Sequence, residues 1–152
     1  MAMRYLCLKL FFLFSVAGSL LVSCRDDEST IAEYPVYVKT SYSEYQELKF
    51  VNRAVIYKAD GVYATNFQLG FGGVCVFRDF DNRLGAFDLA CPYENLRTVC
   101  VEVEMPYATC PQCKSKYDLS YGLGNPVEGP SKSVLKVYTK IVDRGDYIVV
   151  TN

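Results

Sequence analysis

Cys91-Pro92-Tyr93 and Cys110-Pro111-Gln112-Cys113-Lys114-Ser115-Lys116-Tyr117-Asp118-Leu119 decide how this chain folds, with sixteen residues between the first motif and the second. Each is a cysteine–proline tip beside a strand-like segment. Ala86-Phe87-Asp88-Leu89-Ala90 leads into the first, and Gly122, Gly124, Gly129-Pro130 and then Leu135-Lys136-Val137-Tyr138 follow the second.

Outward from these tips, the pattern is short runs of Val, Ile, Tyr and Phe punctuated by Gly, Asp and Asn, as strands and turns require. Val36-Tyr37-Val38, Ala54-Val55-Ile56-Tyr57 and Val74-Cys75-Val76-Phe77 read as strands. Asp79 to Arg83 reads as the turn of a hairpin whose return strand is Leu84 to Leu89. Val99, Val101 and Val103 alternate with Cys100, Glu102 and Glu104, giving a strand with one buried face. Val134 to Val142, a turn at 143–146, and Tyr147 to Thr151 form a terminal hairpin. Ser43-Glu44-Tyr45-Gln46 has the form of a capping box, so a short helix is expected over 43–50, with Leu48 and Phe50 packed onto the sheet. No repeat or second linker interrupts the chain after Tyr34, which indicates one domain over 34–152.

The amino-terminal residues read as an address. Arg4 and Lys9 precede an apolar run, Leu10 to Val22, that is short for a membrane span and ends in small residues, as a secretory signal does. Leu21-Val22-Ser23-Cys24 resembles the lipobox of bacterial lipoproteins. That resemblance implies a signal peptide over 1–23, lipidation of Cys24, and a tether over 24–33. Arg25-Asp26-Asp27-Glu28 resembles the acidic export signal of Bacteroidota lipoproteins. The expected location is the cell envelope, anchored by lipid to the outer membrane. Loss of residues 1–23 removes two basic residues and no acid, shifting the formal charge from −1 to −3. A weakly acidic domain without a basic block argues against nucleic acid as a partner.

The order of the two cysteine tips resembles the Rieske family. There a Cys-x-His loop and, about sixteen residues later, a Cys-x-x-His loop hold a [2Fe–2S] cluster, two Cys on one iron and two His on the other. Lys114-Ser115-Lys116-Tyr117-Asp118, Gly122, Gly129-Pro130 and Leu135 to Tyr138 also follow that family's order. The likeness implies an all-β fold of small antiparallel sheets or a barrel, with loops 91–98 and 109–118 meeting at one tip. It also implies a domain that is no enzyme, since Rieske domains carry electrons. The positions matching the family's histidines are Tyr93 and Cys113, and the chain contains no histidine at all. A phenol of pKa about 10 and a thiolate cannot stand in for two neutral imidazoles, so ligand type excludes a true Rieske centre.

Three readings of the site stay open. In the first it is vestigial, holds no cofactor, and Cys91 pairs with Cys110 or Cys113 in an oxidising compartment, contributing about 3 kcal/mol by loop closure. In the second it binds a metal, zinc or an iron–sulfur cluster, through Cys91, Cys110 and Cys113, with Tyr93 or Cys100 as fourth ligand. In the third, Cys110 and Cys113 form a redox dithiol, although no thioredoxin-like βαβ context surrounds them. Cys75, between Val74 and Val76, reads as a buried core thiol. The absence of histidine rules out Ser-His and Cys-His hydrolase chemistry. Asp79, Asp81 and Asn82 belong to a turn, not a calcium loop. The expected function is therefore a lipid-anchored accessory module with a protein partner in the envelope. The rival is an electron carrier or metal-binding protein.

Overall fold

The computed structural model describes residues 29–59 and 67–152. The expected signal peptide and Cys24 lie outside these residues. The described chain is almost wholly β, in three antiparallel sheets. Strands β1 (Val36–Ser41), β3 (Gln68–Leu69), β10 (Lys140–Asp143) and β11 (Tyr147–Thr151) form the first, in the order β10-β11-β1-β3. β2 (Arg53–Lys58), β4 (Gly73–Arg78) and β5 (Leu84–Asp88) form the second, with β4 central. β6 (Glu102–Glu104), β7 (Tyr107–Thr109), β8 (Lys116–Asp118) and β9 (Asn125–Glu128) make a four-stranded meander.

β4 explains how these sheets share an interior. Its residues from Gly73 to Phe77 are all buried, because both faces of the strand are covered. Val74 and Val76 face a core with Val38, Leu48, Tyr57, Ile148 and Val150. Cys75 and Phe77 face a second core with Phe87, Leu89, Tyr117, Leu119 and Leu135, and the Cys91 and Cys110 thiols lie in it. Each fully buried side chain of this size contributes about 1.5–3 kcal/mol. β1 has one covered face instead. Val36, Val38 and Thr40 point inward, while Tyr37 and Lys39 meet solvent.

The expected helix over 43–50 is only a single 3-10 turn, Gln46–Lys49, with no side-chain cap. The Ser43 amide donates to Ser41 Oγ at 3.2 Å, so Gln46 does not close a capping box on it. The segment first turns off β1 through Glu44 and Tyr45 amides bonded to the Ser41 carbonyl. One turn is what remains before β2. Leu48 enters the core as expected, but Phe50 is extended at the turn's end and 64% exposed.

The run 134–142 is likewise not one strand. Leu135 belongs to the second core and Tyr138 to the first, so the chain crosses between them before joining β11. On the way, the Asp88 amide bonds the Lys136 carbonyl and the Tyr138 amide bonds that of Ala86. Residues 99–101 pair with the end of the first hairpin through an Ala90–Cys100 bridge, and only 102–104 enter the meander. The stretch read as tether, 24–33, already touches the domain at its end. Ile31 is buried, and Thr30 Oγ1 donates to the Pro92 carbonyl at 2.7 Å.

Candidate metal centre

Both cysteine tips are built by the same main-chain device. Proline after the cysteine removes an amide donor and fixes φ, and the chain then folds back in one tight turn. The Asn95 amide donates to the Cys91 carbonyl at 2.9 Å, and the Lys114 amide to the Cys110 carbonyl at 3.1 Å. Asn95 and Lys114 each have φ in the left-handed region, 48° and 62°, which closes the turn. The entering strands are clamped as well. Cys91 N bonds Val99 O at 2.9 Å, and Cys110 N bonds Ser115 O at 2.9 Å. Across the tip, Gln112 Nε2 donates to Glu94 Oε2 at 2.7 Å.

Behind the first tip sits a fully buried carboxylate, Asp88. It accepts from the amides of Phe71 at 2.7 Å, Gly72 at 2.9 Å and Ala90 at 2.8 Å. This locks the three residues that lead into Cys91 against the loop before β4.

The two devices bring three sulfurs together. The Sγ atoms of Cys91, Cys110 and Cys113 all lie within 4.8 Å of one another. Cys91 and Cys113 are 3.7 Å apart. Cys91 and Cys110 are buried and Cys113 is half-buried, so the group opens to solvent on one side. Of the two fourth ligands expected from sequence, neither joins the sulfurs. Tyr93 turns out to solvent, 54% exposed. Cys100 stands in the wall of an open cleft of 670 Å³ beside Ile56, Val101 and Pro111, and its thiol donates to the Gly72 carbonyl at 3.2 Å. The phenol at the sulfurs is Tyr117, its hydroxyl 3.5 Å from Cys91 Sγ. Tyr117 lies within the second quoted motif, but its direction toward the sulfurs depends on the pairing of β8 with β7.

The thiols are electrostatically unequal. Burial pushes Cys110 up to about 12, although the amides of Cys113 and Gln112 point at its sulfur and work the other way. Burial also raises Cys113, but the Ser115 hydroxyl and amide, with the Cys110 and Cys91 thiols, outweigh it and leave Cys113 below the ordinary thiol value. Ser115 Oγ lies 3.2 Å from Cys113 Sγ and accepts from the Ser131 amide at 3.0 Å. That leaves the hydroxyl hydrogen free to point at a thiolate. Burial raises the Tyr117 phenol, as do the neighbouring Cys91 and Cys113, so it stays protonated and donates.

No protein-family model matches the chain, and no curated protein does. Solved structures do. A quaternary ammonium Rieske monooxygenase superposes with a TM-score of 0.50 at 18% identity, over 80% of this chain and 31% of that one. The fold is Rieske-like. This chain thus spans about a third of the monooxygenase. The ferredoxin of Sphingomonas yanoikuyae B1 matches with a TM-score of 0.47 at 12% identity, over 76% of this chain and 97% of that one. The ferredoxin of carbazole 1,9a-dioxygenase from Nocardioides aromaticivorans IC177 gives 0.44 and 20%, over 76% and 95%.

A Rieske-like fold raises the question of a Rieske cluster, and the donor set does not fit one. The second iron needs two imidazoles, and the chain has none. At the matching positions stand the solvent-facing Tyr93 and the sulfur of Cys113, which is drawn in beside the other two.

Proposed function

We propose that this chain is a metal-binding protein of the cell envelope that holds one thiophilic divalent ion, zinc foremost, on Cys91, Cys110 and Cys113. The single observation carrying the proposal is the sulfur spacing. Two thiolates on one tetrahedral ion, each at about 2.3 Å, stand about 3.8 Å apart. Cys91 and Cys113 are at 3.7 Å, and the third sulfur is within 4.8 Å of both. The amides of Cys113 and Gln112 directed at Cys110 would spread the negative charge of a three-thiolate complex. The Tyr117 hydroxyl would donate to Cys91. Three protein donors leave the fourth coordination position for a small ligand, since the phenol is held protonated. The role is one of binding and accessory function in the envelope. The Leu21-Val22-Ser23-Cys24 lipobox supports anchoring to the outer membrane through Cys24.

A test starts from the chain beginning at Arg25, purified under reducing conditions without chelator. One ion per chain by elemental analysis is expected, with a sulfur-to-metal charge-transfer band after cobalt substitution. Cys91→Ala and Cys113→Ala lose the metal, while Cys75→Ala and Cys100→Ala keep it. Failure of the reduced protein to take up zinc, iron or cobalt overturns the proposal.

The same short Cys91–Cys113 separation favours a second reading. In an oxidising compartment the two thiols could pair, and the domain would act as a metal-free interaction module. Mass mapping of protein taken from its native envelope without reductant separates the two. A Cys91–Cys113 cross-linked peptide identifies the second.

A further inference from the structure

We propose that the cysteine tip faces the phospholipid surface to which the chain is anchored, with Tyr93 and Leu96 resting in the headgroup layer. The inference rests on the lipid anchor at Cys24 proposed above and not on the metal.

The chain's own connectivity carries the argument. Thr30 Oγ1 donates to the Pro92 carbonyl at 2.7 Å, and Ile31 is buried. The amino-terminal segment is therefore fastened beside the first cysteine loop. Thr30 lies six positions after Cys24, and six steps along the chain span at most about 21 Å even when fully extended. An acyl group on Cys24 thus keeps Pro92 close to the bilayer.

The surface at that end has the composition of an interfacial anchor. Tyr93 and Leu96 are 54% and 50% exposed on one loop. Arg97 lies over the Tyr34 ring at 5.6 Å, and Lys114 is on the adjoining loop. Aromatic rings with a polar edge, flanked by cations, suit the headgroup layer. The Asp79–Arg83 turn, which presents Phe80, lies at the opposite end of β5, roughly 20 Å from Cys91 at about 3.3 Å per residue. This orientation turns the loop of Tyr93 and Leu96 toward the membrane, and the Phe80 end toward the bulk.

The chain contains no tryptophan, so one can be introduced as a single reporter. Full-length lipidated Tyr93→Trp and Phe80→Trp chains are reconstituted into phosphatidylcholine–phosphatidylglycerol vesicles with brominated acyl chains. Both positions are exposed, and matching thermal unfolding confirms that both variants fold. The Tyr93→Trp chain is expected to lose most of its emission and the Phe80→Trp chain to keep it. Equal quenching, or quenching at position 80 alone, overturns the orientation. A chain that floats with vesicles but is unquenched at position 93 leaves the anchor standing and removes only the orientation. A chain that neither floats nor incorporates labelled palmitate removes the anchor, and the orientation with it.

Discussion

The Tyr138 hydroxyl donates to the Asp88 carboxylate at 2.7 Å, across fifty residues and wholly inside the protein. It completes four hydrogen bonds to a charge that has no cationic partner among its bonded groups. The position is three residues before Cys91. The carboxylate therefore ties the crossing segment at 138, the loop at 71–72 and the strand entering the first tip into one unit.

Removing the phenol should loosen that unit. Tyr138→Phe is expected to cost about 1.5–3 kcal/mol, the usual worth of a hydrogen bond to a charged group. Asp88→Asn should cost more, because its amide group would present hydrogen to a buried amide donor. Urea unfolding of the two variants gives the order directly, and equal stability to the parent chain would contradict it.

Cys113 should be the reactive thiol of the metal-free, reduced protein. It is half-buried and its pKa is lowered through Ser115, whereas buried Cys110 is raised. Timed alkylation at neutral pH followed by peptide mapping should label Cys113 well before Cys110. In Ser115→Ala the Cys113 rate should fall, and its pH profile should move to higher pH.

Alkaline pH should destabilise the same protein. Cys110 and Cys75 keep their protons longer in the fold than in the unfolded chain, as do buried Tyr57, Tyr117 and Tyr138. Above about pH 8.5, the ordinary thiol value, the unfolded chain holds fewer protons than the native one, and stability falls as pH rises. For Cys110 the loss runs up to about 12. Cys113 works in the opposite direction: its contribution is present above the ordinary thiol value and is lost as pH falls. The urea midpoint should therefore be lower at pH 10 than at pH 7.5. Saturating metal should reduce the difference.

Two neighbouring hydrophobic positions should differ sharply. Leu48→Ala empties a fully buried site and is expected to cost about 2–5 kcal/mol. Phe50→Ser replaces a solvent-facing ring and should stay within about 0.5 kcal/mol. Thermal unfolding of the pair checks the difference.

Gly129 braces the second cysteine loop from behind. Its φ is +86°, and an added Cβ would lie 2.5 Å from Ser115 Cα and 2.9 Å from Ser115 Oγ. Gly129→Ala should therefore displace Ser115, cost about 1–3 kcal/mol, and weaken metal binding although residue 129 is no ligand. A competition titration against a chromophoric chelator measures the second effect.

The strands that could be read in the sequence are those with several inward residues. Val36 and Val38, the run at 74–77, and the return at 84–88 each repeat an apolar signal over enough positions to stand out. β7 and β8 do not. Each buries one residue, Ala108 or Tyr117, and a single inward side chain has no period. The proximity of the three cysteines was legible from their flanking prolines and glycines as a resemblance. The placing of Tyr117 and Ser115 around them was not, because it depends on the Tyr117–Ala108 register and on the fold-back of residues 129–131. The exposure of Phe50 has a related cause. Its direction follows from where the 3-10 turn ends, and the apparent capping box had implied a longer helix.

The twin turns at Asn95 and Lys114 are closed by main-chain hydrogen bonds, so neither turn is held by the side chains of Tyr93 or Cys113. Coordination chemistry can then be exchanged without rebuilding the scaffold. Cys113→His would place an imidazole among the sulfurs on the existing backbone, making the domain a vessel into which an inorganic cofactor can be designed.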